Sequence, residues 1–304
     1  MVSVVIPCYN ERYEIISTLD RILEHINNSS LKVDYEILVI DSSTDDTYEI
    51  LQNSHHTQYK ELKLIKSEHQ MFPGEARNTG VKMSLFDIII FVDTGFSFEP
   101  LWFERLVTPL LNDRNLDIVW GTTYTSTECD SDRLFAFLIE SKANFRKIIP
   151  NVAIRKKVFT DGNWFLNDLR AVEDTFFIQQ ISDKYTEKHV EAVNLYSGHP
   201  KTLKNAFLKW KVYSYFSFKA GYRKKALFSI LQLAVYLCLM FFKFPLSIFS
   251  IVLLHNFRIL LKCNFRYKVK LIELPKVFII SLSIDLGRFF GSVWGYLNHT
   301  FKFT

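Results

Sequence analysis

Five short polar clusters carry residue types suited to acid–base and phosphate chemistry. They are Pro7-Cys8-Tyr9-Asn10-Glu11, Asp41-Ser42-Ser43-Thr44-Asp45-Asp46-Thr47, Gly74-Glu75-Ala76-Arg77-Asn78-Thr79-Gly80, Asp93-Thr94-Gly95 and Glu173-Asp174. A carboxylate can accept hydrogen bonds from a base N–H or ribose hydroxyls, or draw a proton from an attacking hydroxyl. A forked guanidinium such as Arg77 matches phosphate oxygens in pairs. One cluster would mean little, but several at successive strand ends outline one pocket, and its carboxylates and arginine suit a charged sugar-phosphate ligand.

The elements that must position these groups are legible as a β-α alternation. The first, second and fourth clusters each follow an apolar, β-branched run (Val2 to Ile6, Ile37 to Ile40, Ile88 to Val92), as expected of strands buried on both faces of an α/β sheet. In such sheets ligands sit beyond the carboxyl ends of the strands. Ile15, Leu19, Ile22, Leu23 and Ile26 recur at helical spacing. Further helices are expected at Asp45 to Gln52, Glu75 to Leu85 and Val172 to Ser182, with short strands at Leu62 to Ile65, Ile118 to Thr122 and Val152 to Arg155. The stretch from 116 to 200 reads as less regular and as the acceptor side. Trp102 and Trp164 suit either a sugar face or the core.

Composition divides the chain. Residues 1–200 hold 20 Lys+Arg against 30 Asp+Glu, and residues 201–304 hold 17 against 2. In that tail the charge is interleaved with long apolar runs, which suits an anionic membrane surface and not nucleic acid. Residues 204–225 read as a basic, aromatic interface helix. Residues 226–261 read as a transmembrane hairpin turning at Lys243 to Pro245, and 262–304 as a C-terminal membrane helix with Gly287, Gly291 and Gly295 at spacing four. Small residues at that spacing let helices approach closely. One long bent span is the alternative to the hairpin, which keeps both basic flanks on one side. The four cysteines form no metal-ligand spacing. No basic, apolar leader precedes the first strand, so residues 1–203 are expected to stay in the cytoplasm on a multi-pass membrane protein.

The ordered motifs resemble family 2 glycosyltransferases of the GT-A fold. The matching stretches are Ser3 to Glu11, Val39 to Thr47, Ala76-Arg77-Asn78-Thr79-Gly80, Phe91-Val92-Asp93 and Val172-Glu173-Asp174-Thr175. The resemblance implies an α/β, Rossmann-like, mostly parallel sheet over 1–203, followed by a helical membrane-associated region. It implies that Pro7, Tyr9, Glu11 and Asp41 hold the nucleotide's base and ribose, and that Arg77 meets the donor phosphates or sugar. Asp93 would hold a divalent cation, Mg2+ or Mn2+. Gly95 replaces the second carboxylate of that motif, which leaves metal dependence open. His199, in Ser197-Gly198-His199-Pro200, corresponds to a histidine that reaches the metal or diphosphate. Asp174 would be the general base of the Glu173-Asp174 pair. The implied activity is inverting transfer of a sugar from a nucleotide diphosphate sugar to a lipid-linked glycan or lipid. A polyprenyl-phosphate sugar synthase and a non-catalytic nucleotide-sugar-binding scaffold are the alternatives.

Overall fold

The computed structural model describes residues 1–140, 146–241, 255, 257, 259, 263 and 266–300. They form two compact units. The first runs Met1–Tyr124 and includes the later stretch that ends at Ser197; the second starts at Thr125, takes in the helix that follows, and resumes at Gly198.

The first unit is built on eight strands: β1 (Val2–Cys8), β2 (Tyr35–Asp41), β3 (Leu62–Lys66), β4 (Ile88–Phe91), β5 (Phe96–Phe98), β6 (Ile118–Thr125), β7 (Val152–Arg155) and β8 (Glu187–Tyr196), in the order β3-β2-β1-β4-β7-β6-β8-β5. Helices α1 (Ile15–Asn27), α2 (Thr47–Gln52), α3 (Pro73–Met83), α4 (Trp102–Asn112), α6 (Lys157–Thr160) and α7 (Glu173–Ile181) belong to it, and α5 (Asp130–Ile139) to the second unit. The sheet, expected to be mostly parallel, is mixed: in one half β1 pairs in parallel with β2 and β4, and β2 with β3. The other half is antiparallel, with β7 against both β4 and β6, and β5 against β8.

Strand burial explains the apolar runs. Val2, Val4 and Ile6 face one core with Ile37 and Val39, while Val5 faces the other with Leu38 and Ile40. Successive side chains leave a strand on opposite faces, so burial on both sides demands an unbroken apolar run. α1 covers the first of these cores with Ile15, Leu19, Ile22, Leu23 and Ile26, the stripe read from the sequence. α3 lies close on the sheet, because a Cβ at Gly80 would come within 2.3 Å of Val5 Cγ1.

Register sets the pocket edge. Cys8 lies opposite Asp41, Asp41 opposite Lys66, and Val5 opposite Phe91. The loops that carry Glu11, Asp41 to Asp45 and Asp93 therefore leave one edge of the sheet together. Pro7, which has no N–H to give, stands past the last β1–β4 pair, where no ladder bond is forfeited.

The second unit is helical: α5, α8 (Leu203–Lys219), α9 (Arg223–Phe241) and α10 (Leu274–Thr300), with a 3-10 turn at Leu271–Glu273. α10 packs on α8 along its glycine stripe. A Cβ at Gly287 would meet Phe207 O at 2.4 Å, at Gly291 Lys211 O at 2.1 Å, and at Gly295 Phe218 Cβ at 2.8 Å. The stripe read from spacing alone is thus a seam of close helix contact, with backbone at Gly287 and Gly291 and the Phe218 side chain at Gly295. Among the described residues one helical stretch, Leu271–His299, is long and apolar enough to cross a membrane, with a mean hydropathy of 1.4; Ala226–Val235 is apolar but shorter. The expected hairpin begins in α9, and its turn at Lys243 to Pro245 lies outside the described residues. The multi-pass arrangement therefore rests on sequence pattern, and the described residues supply one candidate span.

Candidate active site

At the sheet edge Asp41 is buried and occupied by its own loop. Ser43 Oγ donates to Asp41 Oδ1 at 2.6 Å and Ser43 N to Oδ2 at 3.3 Å. Each oxygen keeps acceptor capacity for a ligand N–H or O–H. Glu11 is half-buried in the neighbouring loop. Burial pushes its carboxyl up; a hydrogen bond from Thr94 opposes this, and the charges of Asp93, Glu14 and Asp45 add to it. Pro7 and Tyr9 are half-buried beside it.

Arg77, on α3, is the structural centre of the acidic group. Its side chain is 4% exposed, and its Nη1 donates to Glu173 Oε1 at 2.8 Å. Its Nη2 donates to both oxygens of Asp93, at 2.9 and 3.0 Å. Three motifs far apart in sequence thus meet at one guanidinium. Burial works against its charge, but the two carboxylates outweigh that and hold it more firmly protonated than a free arginine. Burial likewise pushes the Glu173 carboxyl up, with Arg77 opposing and Asp174 adding to the shift. Sequence reasoning had Arg77 meeting a ligand's phosphates; in the structure its two terminal nitrogens bind Asp93 and Glu173.

Glu173 and Asp174 open α7, and the residue before them, Val172, is held at φ 66°. A β-branched residue in the left-handed region costs on the order of 1–3 kcal/mol, and such strain collects at functional sites. Asp174 is half-buried, and its Oδ1 accepts from Thr175 N at 2.6 Å and from Thr175 Oγ1 at 3.3 Å. It makes no further hydrogen bond among the described residues. The two acids differ in setting: Glu173 is buried and paired with Arg77, whereas Asp174 is half-buried and, among the described residues, pairs with no cation.

The donor set bears on a cation. Asp93 is about a third exposed, and each of its oxygens keeps a lone pair beyond its Arg77 bond. Gly95, at φ +79°, brings no carboxylate, and nothing lies within 4 Å of where its Cβ would stand. A hard divalent cation bound through one carboxylate, water and a ligand's phosphate oxygens fits these residues; a cage of protein ligands alone does not. Among the described residues, the cluster of three metal-capable side chains lies elsewhere, at Asp20, His55 and His56.

His199 belongs to the second unit. It is buried, stacked on Phe135 with ring centroids 5.8 Å apart, and its Nε2 lies 3.2 Å from Thr125 Oγ1. Trp102 is fully buried and donates to Asn151 Oδ1 at 2.8 Å, so it is core. Arg155 holds the backbone at Leu116 and Leu110 and the Asp87 carboxylate, a fastening of the chain. Sequence reasoning passed over Asn78, whose amide exchanges two hydrogen bonds with the Phe165 backbone, and the polar contacts that Asn10 makes with the β2 loop. The signal for both was their place inside the polar clusters at the strand ends and on α3.

A sheet whose parallel strands end in such an acidic edge, with a base candidate opening a later helix, defines a GT-A type transferase fold. Comparison with known proteins agrees, and the chain belongs to glycosyl transferase family 2, which it matches over residues 3–176. It is 29% identical over 191 residues to the glycosyltransferase AglE of Haloferax volcanii, covering 60% of this chain and 61% of that one. It is 30% identical over 154 residues to a dolichol-phosphate mannosyltransferase of Pyrococcus furiosus, covering 50% of this chain and 39% of that one. In fold it resembles the mannosyltransferase PcManGT of Pyrobaculum calidifontis, solved with GDP-Man and Mn2+, with a TM-score of 0.55 at 19% identity over 73% of this chain and 64% of that one. The match to AglE thus spans about 61% of that relative's length.

Proposed function

We propose that the chain is an inverting glycosyltransferase, moving a sugar from a nucleotide diphosphate sugar to a hydroxyl of a lipid-linked glycan or lipid at a membrane surface. The observation that carries this reading is the Arg77 hub. It pairs with Asp93 at the sheet edge and Glu173 at the start of α7, which leaves the adjacent Asp174 as the carboxylate of the three that no cation holds among the described residues. In this reading Asp174 takes the acceptor hydroxyl's proton as that oxygen bonds to the anomeric carbon. The bond from the anomeric carbon to the diphosphate oxygen breaks on the opposite face, and the nucleoside diphosphate leaves with the electron pair. An aspartate is a weak base, so it works by position in the transition state. Asp41 and Glu11, with Pro7 and Tyr9, form the base and ribose end.

A divalent cation held through Asp93 would offset the charge of the leaving diphosphate. Membrane attachment is assigned to the second unit and its apolar helix Leu271–His299. Of the two relatives AglE and the dolichol-phosphate mannosyltransferase, the name of the second supports an acceptor of lipid type.

The second of these relatives favours one further reading, a polyprenyl-phosphate acceptor. That acceptor is already anionic and needs no base. Nucleoside diphosphate release by the solubilised chain, across UDP, GDP and TDP sugars with native lipid, separates the two. A hydroxyl acceptor predicts that Asp174→Asn abolishes lipid-dependent release, and an anionic acceptor that it spares much of it. No release with any donor, from protein shown to be folded, sinks both.

A further inference from the structure

The loops after β1 and β2 leave adjacent parallel strands in register, yet past Cys8 and Asp41 no sheet ladder ties them together. Beyond a backbone bond from Ser42 N to Cys8 O at 3.0 Å, side chains do so, chiefly at one residue. Asn10 sits at φ 59°, a left-handed conformation that asparagine tolerates better than most residues. There its amide reaches the other loop: Oδ1 accepts from Thr44 N at 2.9 Å and from Asp45 N at 3.3 Å, and Nδ2 donates to Thr44 Oγ1 at 3.3 Å. The Asn10 N–H donates to Ser43 Oγ at 2.8 Å, and that hydroxyl donates to Asp41 Oδ1 at 2.6 Å. An unbroken chain of bonds thus runs from the backbone beside Glu11 to the Asp41 carboxylate. Arg12 also reaches Asp46 at 3.1 Å, but both side chains are largely exposed, and such pairs contribute little.

We infer that Asn10 is a positioning residue, a clamp that holds the β2 loop against the β1 loop and so sets the spacing between Glu11 and Asp41 across a nucleoside diphosphate site. The inference rests on the proposed reading of that edge as the nucleotide pocket. Asn10 needs to touch no ligand for this. It combines a backbone conformation with an acceptor for two neighbouring amides. Glycine supplies the first alone, and alanine supplies neither without strain.

Two readings on the full-length solubilised chain test it: hydrogen exchange of the Thr44 and Asp45 amides without ligand, and the Kd for UDP, GDP and TDP. Asn10→Gly keeps the backbone and removes the clamp. The expected result is exchange at both amides faster by about tenfold or more, and nucleotide affinity weaker by about tenfold, because both amides lose their acceptor. Asn10→Asp keeps the acceptor oxygen and restores slow exchange. Unchanged exchange in Asn10→Gly overturns the clamp. Faster exchange with unchanged affinity overturns its role in positioning. If the wild-type chain binds none of the three nucleotides, the pocket reading has failed, and the exchange data still report separately on whether the clamp exists.

Discussion

At the scale of single residues, the consequential choice is a buried arginine between two carboxylates. Taking ions out of water is expensive, and the arrangement holds because every charge finds an opposite one. Removing the arginine alone strands Glu173, which is 8% exposed at its side chain. Arg77→Met is therefore expected to cost about 3–5 kcal/mol of unfolding free energy, as breaking a buried pair does. The double variant Arg77→Met/Glu173→Gln should recover a good part of that, because it leaves no buried charge unpaired. Urea unfolding of the four proteins in the cycle gives the coupling directly. Equal losses in the single and double variants would mean that Arg77 stabilises by packing on Phe165, 5.6 Å from its guanidinium, and not through charge.

At the scale of elements, close approaches set the penalties. α10 meets α8 where its glycines lie, and a methyl at Gly291 would come 2.1 Å from Lys211 O. Backbone cannot yield as a side-chain tip can. Gly291→Ala should then lose about 1–3 kcal/mol to overpacking, against roughly 1 kcal/mol regained in helix propensity. Thermal unfolding in detergent should show a lower midpoint for this variant, and no comparable drop for Phe290→Ala, whose side chain is exposed. A second element-scale contact pins the 3-10 turn His55–Gln58 to α1, where His56 Nε2 lies 2.9 Å from Asp20 Oδ1. Burial lowers the His56 imidazole below the usual histidine range; the Asp20 bond opposes this, and the charge of His55 adds to it. Between the folded and unfolded pKa it is the unfolded chain that binds the extra proton. This contribution is therefore complete above the unfolded value of about 6.5 and is lost as pH falls below it. The urea midpoint should drop between pH 7 and 5, and by less in His56→Gln.

These elements also mark what could be read from sequence. β1, β2, β4 and β7 were legible to within a residue or two because burial on both faces forces continuous apolar runs, and β3, half-buried, from its short Leu-Lys-Leu-Ile stretch. The glycine seam was legible because glycine at spacing four is otherwise costly in a helix. β8 was not, since it opens Glu187-Lys188-His189 with those side chains exposed and buries only Ala192, Val193 and Asn194. α4 was obscured by Pro109 inside it, and β5, at three residues, has no pattern to detect. In the site the residue types were readable, but their partners were not. That Arg77 would take Asp93 and Glu173 depends on tertiary proximity across 16 and 96 residues of sequence.

For the whole molecule, charge is the argument. The first 200 residues carry ten more acids than bases, and the remaining residues carry fifteen more bases than acids. The second unit also exposes large apolar side chains on α9 and α10, among them Leu227, Phe228, Leu231, Phe290 and Trp294, with Lys211 5.0 Å from the Trp294 ring centroid. Two forces would then hold the chain to a bilayer, and salt separates them. Each Lys or Arg near an anionic surface contributes about 1 kcal/mol, and this fades as the screening length contracts from ~10 Å at 0.1 M to ~3 Å at 1 M salt. Apolar burial is not weakened in this way. In flotation with vesicles, the chain should favour those containing phosphatidylserine over phosphatidylcholine alone at 0.1 M salt, and should lose that preference at 1 M while staying bound to both. Complete release by salt would make the contact electrostatic and peripheral, removing Leu271–His299 as an inserted helix. Equal binding to both vesicles at low salt would mean that the basic tail serves some partner other than an anionic lipid surface.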